Sequence, residues 1–331
     1  MNKALTKRAR MRAVVRARNK IARTIPTPRT TQATRRGNKK RPNLQNIRPT
    51  GTALAKKIID SQPPPADTAV PHIKGKLRLI SVLIAAHCPS NPAWVRQAIN
   101  SILSQELPDS WELEILIGVD ACQNTLKIAK SISDSRVKVL MMKHNYGPYV
   151  VFNTLMDYAQ GSLISRFDAD DIMMPRYIQQ HIDLLLKNSK CIAVSSCDVV
   201  NKKLKSTGER VLAVGQCTFH RDLWYALGGF RRWRCAADRE FLIRATALGY
   251  SRARTNTKGV LRRKHANNLT SGSKTGMESA LRKHYHSKRN RVKANCAKGL
   301  PVPKLTPIRG IVDLEMSDDI FNEFNLNSRS V

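Results

Sequence analysis

The 331-residue chain has no long apolar run. Its longest stretch, Leu79–Ala86, is interrupted by Ser81, far short of the roughly 20 residues a transmembrane helix needs. It has no CxxC pair. Its seven cysteines (88, 122, 191, 197, 217, 235 and 296) are scattered and odd in number. The pattern supports neither a zinc site nor a disulfide framework, and a reducing, intracellular setting is expected. Acids are scarce: 24 Asp+Glu face 58 Lys+Arg, a formal net charge of +34. Hydrophobic residues reach 41%, enough for a core, which excludes wholesale disorder. The length fits one large domain or two ordinary ones.

The charge is unevenly spread. Residues 1–76 hold 20 basic and 2 acidic residues, and residues 252–310 hold 16 and 1. The middle, 77–251, is nearly balanced at 21 and 16, and the tail 311–331 holds 1 and 5. A globular piece is therefore flanked by two basic segments. The first has no acid before Asp60, few large apolar residues, and the run Pro63-Pro64-Pro65. Such a chain buries too little surface to offset the entropy of ordering, so a mostly disordered arm is expected, with a short basic helix near 3–22 on a polyanion. Three readings stay open: a nucleic-acid-binding arm, a solvated tail or anionic-membrane contact, and an organelle transit peptide. A secretory signal is excluded, because no apolar core follows the charges.

The middle alternates strand and helix signals. Leu77–Ala86, Trp111–Val119, Arg136–Met142, Leu163–Phe167 and Ile192–Ser195 read as strands. Pro92–Leu103, Pro148–Ala159 and Pro175–Leu186 have helical apolar spacing. This order predicts an α/β chain with a parallel sheet. Ligands of such sheets bind beyond the carboxyl ends of the strands, where Asp120 and Asp168 fall.

Asp168-Ala169-Asp170-Asp171 puts three carboxylates in four residues. They repel one another unless a cation or N–H donors compensate. Hard divalent cations take such oxygens together with substrate phosphates. A solvated acidic loop or helix cap remains the plainer reading. Around it stand SVLIAAHCPSN, EILIGVD, NYGPYVVFN, DADDIMMP, and a GGF followed by ADREFLIR.

Taken together, over residues 77–265, these segments resemble the family-2 glycosyltransferases, nucleotide-sugar enzymes with the GT-A fold. The resemblance implies a Rossmann-like, mixed but mainly parallel sheet flanked by helices. Three parts are expected: the arm 1–76, a transferase domain 77–265, and a basic, partly helical extension 266–331 with a short acidic tail. It implies that Asp120 holds the nucleotide base or ribose, with Ala86 beside it. Asp168 lies near the sugar donor. Asp170 coordinates Mn²⁺ or Mg²⁺ with Asp168, joined by His265, since a neutral imidazole ligates Mn²⁺. Asp238 takes the acceptor proton, supported by Glu240, as in inverting members; such a base typically contributes about 10²–10⁴-fold. Arg166, unexpected before the DxD, touches a donor phosphate or pairs with an acid. The donor is expected to be UDP-linked. Two departures fall in the nucleotide pocket and leave donor identity open. Ala86 stands where a Thr is usual, and the second strand ends in one acid followed by Ala121-Cys122 instead of two acids followed by Gly-Ser.

From Arg252 to Arg309 the basic residues suit a phosphate backbone or an anionic leaflet. Arg262, Arg263, Lys264, Arg282, Lys283, Lys288, Arg289 and Arg291 are the expected polyanion contacts. His284 and His286 are assigned no role. No base-reading motif appears. The acceptor is left open between a hydroxymethylated pyrimidine in viral DNA, a surface-polysaccharide or lipid-linked glycan, and a protein. An inactive, polyanion-binding transferase fold is the non-enzyme alternative. The expected setting is the cytoplasm of a bacterial or virus-infected cell, with organelle import open.

Overall fold

The computed structural model describes residues 78–306, Ser90 excepted. The expected arm 1–76, its helix near 3–22 and the acidic tail 311–331 lie outside the described residues.

One eight-stranded sheet carries the fold. Its strands are β1 (Arg78–Ala86), β2 (Trp111–Asp120), β3 (Val137–Met142), β4 (Leu163–Asp168), β5 (Ile172–Met173), β6 (Cys191–Val200), β7 (Ser206–His220) and β8 (Ser251–Arg263). The order across the sheet is β3-β2-β1-β4-β7-β6-β8-β5. The first four strands run parallel. β7 then pairs antiparallel with both β4 and β6, β8 runs parallel to β6, and β5 closes the edge antiparallel to β8. The sheet is thus mixed and mainly parallel. The helices are α1 (Ala93–Leu103), α2 (Gln123–Lys130), α3 (Pro148–Met156), α4 (Tyr177–Lys187), α5 (Arg221–Leu227), α6 (Ala237–Ala247) and α7 (Ala280–Ala297). Among the described residues no helix is long and apolar enough to cross a membrane.

Strand alternation divides the core between the two faces of the sheet. Ile80, Val82, Ile84 and Ala86 of β1 pack with α1 and α4 through Val95, Ile99, Ile178 and Ile182. Leu83 packs on the other side with α3 and α6, through Val151, Leu155, Phe241 and Ala245. Each buried Val, Leu, Ile or Phe side chain among them stabilises the fold by about 1.5–3 kcal/mol. Residues 280–306 join the second layer. Tyr285 of α7 is buried there and stacks on Trp233 at 4.7 Å and 7°, and Leu305 N–H donates to Leu227 O at 2.9 Å.

Two cysteines correct the reading of the thiols. Cys88 and Cys122 are disulfide-bonded, Cα atoms 5.7 Å apart, which ties the loop after β1 to the end of β2. The chain folds these strand ends together although they are far apart in sequence. Cys191, Cys197, Cys217, Cys235 and Cys296 are free.

Candidate active site

Because β1, β2 and β4 are parallel, their carboxyl ends share one edge, and a cleft of about 400 Å³ opens there. Ala86, Asp120, Asp168, Asp170, Arg166, Asp238, Arg262 and His265 all line it. These residues come from β1, β2, β4, β8, the turn after β4, α6 and the loop after β8. The topology, not local sequence, brings them together.

Asp120 ends β2 and is buried. Its Oδ1 accepts from Tyr146 N–H and its Oδ2 from Gly147 N–H, both at 2.8 Å. Burial raises its pKa, and the two amides act against that rise. The carboxylate therefore pins the start of α3, where Gly147 at φ +90° occupies a conformation that favours glycine. His87 lies alongside, its Nδ1 2.5 Å from Asp120 O and its Nε2 3.0 Å from Asn145 Nδ2.

Arg166 is the centre of the site. It is buried under α3, its guanidinium 4.7 Å from the Phe152 ring centre and 5.3 Å from that of Tyr149. Nη1 donates to Gly215 O at 2.5 Å and Nη2 to Asp168 Oδ1 at 3.1 Å. Nη1 also lies 4.0 Å from Asp238 Oδ2. Burial disfavours its charge, but Asp168, Tyr149 and Asp238 outweigh burial and the pKa is raised. A fixed cation thus stands between two carboxylates from separate elements. Asp238 opens α6, and its Oδ1 accepts from Arg239 N–H at 2.8 Å.

The aspartate cluster divides its work. Asp170 Oδ2 lies 2.7 Å from His265 Nε2 and accepts from Asn268 Nδ2 at 3.3 Å. Asp171 is buried, with Oδ1 accepting from Arg263 N–H at 2.8 Å and Oδ2 from Gln216 Nε2 at 2.5 Å. Burial, then Asp170 and Asp168, push its pKa well up. Gln216 also donates to Asp168 Oδ2 at 3.1 Å.

The three expected metal ligands are not gathered. Among the described residues no group of three or more His, Cys, Asp and Glu side chains is placed to hold a metal. Asp168 is turned to Arg166 and Gln216, which leaves Asp170 with His265. That oxygen–nitrogen pair fits Mn²⁺ or Mg²⁺ completed by substrate phosphate oxygens. His265 Nδ1 is buried without a partner, and the ring packs on Trp94 at 4.8 Å.

Two further expectations are corrected. Glu240 does not line the cleft. It is fully buried, 2.8 Å from Arg231 Nε and 2.9 Å from Arg244 Nη2. The Arg244 guanidinium also donates to Leu227 O and Gly229 O, both at 2.7 Å. Arg263 is no polyanion contact: it is buried, donates to Asp170 O at 2.6 Å and to Gln97 Oε1, and stacks over Trp94. Arg282 is buried as well, donating to Thr275 O at 2.7 Å and Leu269 O at 2.9 Å, and it lines the cleft. The Arg244 and Arg263 guanidiniums serve the fold. Lys264 and Lys283 are exposed and pair with Glu209 at 3.5 Å and Glu278 at 3.2 Å. Arg291 is exposed, and Lys288 and Arg289 are half-buried.

Sequence reasoning missed Gln216, Gly215, Tyr149 and Asn268. Gly215 and Gln216 sit in a strand it did not read, and neither carries a local signal. His286, given no role, lines the cleft.

Residues 81–254, just over half the chain, match Glycosyl transferase family 2. The chain belongs to that family. The UDP-Glc:α-D-GlcNAc-diphosphoundecaprenol β-1,3-glucosyltransferase WfgD of Escherichia coli is 28% identical over 123 residues, 37% of this chain and 47% of WfgD. An uncharacterized glycosyltransferase of Haemophilus influenzae is 31% identical over 121 residues, 36% of each chain. The matches thus span half or less of these relatives' length. Among solved structures, S. aureus TarS 1-349 in complex with UDP-GlcNAc is similar at 16% identity and a TM-score of 0.46, covering 57% of this chain and 59% of that fragment.

Proposed function

We propose that this protein moves a hexose, with inversion, from a UDP-sugar to a hydroxyl of a lipid-linked sugar diphosphate. The observation that carries the mechanism is the Arg166 guanidinium, which spans Asp168 at 3.1 Å and Asp238 at 4.0 Å. It holds the carboxylate nearest the donor and the carboxylate nearest the acceptor in one frame. WfgD, by its name, uses UDP-Glc and a diphosphoundecaprenol-linked acceptor, and it supports the lipid-linked reading over the DNA one.

In this reading the nucleotide lies against Ala86 and Asp120, and the sugar extends to Asp168. Asp238 Oδ2 takes the proton of the acceptor hydroxyl as its oxygen bonds to the anomeric carbon. The bond from that carbon to the diphosphate breaks on the opposite side, and UDP leaves with the electron pair. Asp170 and His265 would hold Mn²⁺ or Mg²⁺, which supplies charge neutralisation to the leaving diphosphate. Arg166 stands beside Asp238 and holds it at a fixed distance from the donor.

The test offers a panel of UDP-sugars with a short-chain lipid-diphosphate sugar, and in a second arm with hydroxymethylated DNA. Mass spectrometry reads the product, and NMR reads the configuration of the new linkage. A hexose on the lipid acceptor, with configuration inverted, is expected. A hexose on nucleosides instead would replace the lipid acceptor with nucleic acid. No turnover of any donor would refute the enzyme reading altogether.

A further inference from the structure

Around Asp238, basic side chains gather at the cleft. Arg239 follows Asp238 in the first turn of α6, and α7 packs along α6. Arg282, His286 and Arg289 recur along α7 at i, i+4 and i+7, on one helical face. The face is held in register by three contacts. Tyr285 stacks on Trp233, the Ser279 hydroxyl caps the helix at Arg282 N–H at 3.2 Å, and Arg282 is clamped by the Thr275 and Leu269 carbonyls. Arg239, Arg282 and His286 line the cleft with Asp238. His286 also lines an adjoining groove with Lys283, Asn290 and Arg291.

We propose that Arg239, Arg282, His286 and Arg289 form a second anion subsite, which takes the phosphate group of the acceptor. This rests on the reading of Asp238 as the base that faces the acceptor, and it extends that reading to how the acceptor is gripped. The groups feel one another. Burial and then Arg289, Arg282 and Arg239 lower the pKa of His286. Burial and then Arg239 lower that of Arg289. In both cases Asp238 is the carboxylate that acts the other way. Like charges gathered around one carboxylate leave an excess of positive charge that an arriving phosphate neutralises. Arg282 meets carbonyls rather than a carboxylate, so its charge also remains available to the cleft. The seven steps from Arg282 to Arg289 rise about 10 Å along the helix. That span suits one phosphate or diphosphate better than the extended track of a nucleic-acid backbone. It also places the phosphate beside the base, as required when the attacked sugar is itself linked through phosphate.

The experiment titrates the full chain, saturated with UDP, with inorganic diphosphate. Calorimetry reads affinity, and NMR of labelled histidine, assigned with His286→Gln, reads the imidazole. Diphosphate should bind with UDP in place and should raise the pKa of His286, because an anion favours the imidazolium. Arg289→Gln and Arg239→Gln should each weaken diphosphate about tenfold or more, as expected for loss of a charge-assisted hydrogen bond. Their melting temperatures serve as the control for folding. With the short-chain lipid-diphosphate sugar, Arg289→Gln should raise the acceptor KM about tenfold with a much smaller effect on kcat. No diphosphate binding beside UDP, or equal affinity in the variants and the wild type, would overturn the subsite. Diphosphate binding at the cluster without turnover of any lipid-linked sugar would support the subsite and refute the acceptor reading. Hydroxymethylated DNA that displaces diphosphate, and is weakened by the same substitutions, would overturn the small-acceptor assignment in favour of a nucleic-acid phosphate.

Discussion

Glu240→Gln separates a chemical role from a structural one. Glu240 and Arg244 have no exposed side-chain surface, and their closest contact is 2.9 Å. The substitution keeps the shape and removes the charge. It leaves Arg244 without its countercharge, with one Gln oxygen and the Leu227 and Gly229 carbonyls as remaining acceptors. Arg231, at 27% side-chain exposure, can turn to water. Breaking a buried pair by neutralising one partner costs about 3–5 kcal/mol. At roughly 2–4 °C per kcal/mol for a domain of 150–250 residues, melting should fall by roughly 6–20 °C. Differential scanning fluorimetry measures the fall, and turnover per folded molecule well below the transition measures the chemistry. That turnover should stay close to wild type, since Glu240 does not line the cleft. An unchanged melting temperature with a 100-fold or greater loss of turnover (the scale of about 10²–10⁴ for an acid–base group) would refute the structural assignment and return Glu240 to the mechanism.

Asp238→Asn should lower transfer by about 10²–10⁴-fold while UDP still binds, measured by product assay and calorimetry. Asp170→Ala should raise the Mn²⁺ concentration for half-maximal turnover by roughly 10–100-fold or more, with an unchanged melting temperature as the control for folding. His181 is buried between Thr218 Oγ1 at 2.7 Å and Ser195 Oγ at 2.8 Å, and burial lowers its pKa to about 3. A lowered folded-state pKa means that the unfolded chain takes up the proton first. Its contribution is therefore complete well above pH 6.5 and is lost as pH falls toward 3. Between pH 7.5 and 5.5 the loss is about 1.4 kcal/mol. Urea denaturation of His181→Gln should lack that increment, and an identical pH dependence in the two proteins would refute it.

The parallel half of the sheet was legible because β1, β2 and β4 are apolar runs with clear boundaries, and α1 and α4 show a 3.6-residue period. The antiparallel half was not. The first five residues of β7, Ser206–Arg210, are exposed and polar, so nothing there alternates. β8 is rich in basic residues, and its charge reads as a surface feature even though Arg263 is buried at its end. Charge counting sees how many guanidiniums a segment holds, not where they point. Arg263 and Arg282 go into the fold through carbonyl partners that a sequence does not display. The aspartates were readable as a cluster, but their separate partners were not. Asp168 faces Arg166, Asp170 faces His265, and Asp171 faces Arg263 and Gln216, and these contacts depend on strands that lie far apart in the chain. The Cys88–Cys122 pair escaped notice for the same reason.

Arg166 ties three parts of the architecture: its own strand β4, the neighbouring strand β7 through Gly215, and the first turn of α6 through Asp238. The spacing between Asp168 and Asp238 is therefore a property of the rigid interior. The cleft-facing side of α7 takes no part in that spacing. A protein designer seeking a new acceptor has a ready division of labour in the proposed subsite. His286 and Arg289 can be exchanged to change what is gripped, and the distance between Asp168 and Asp238 stays as it is.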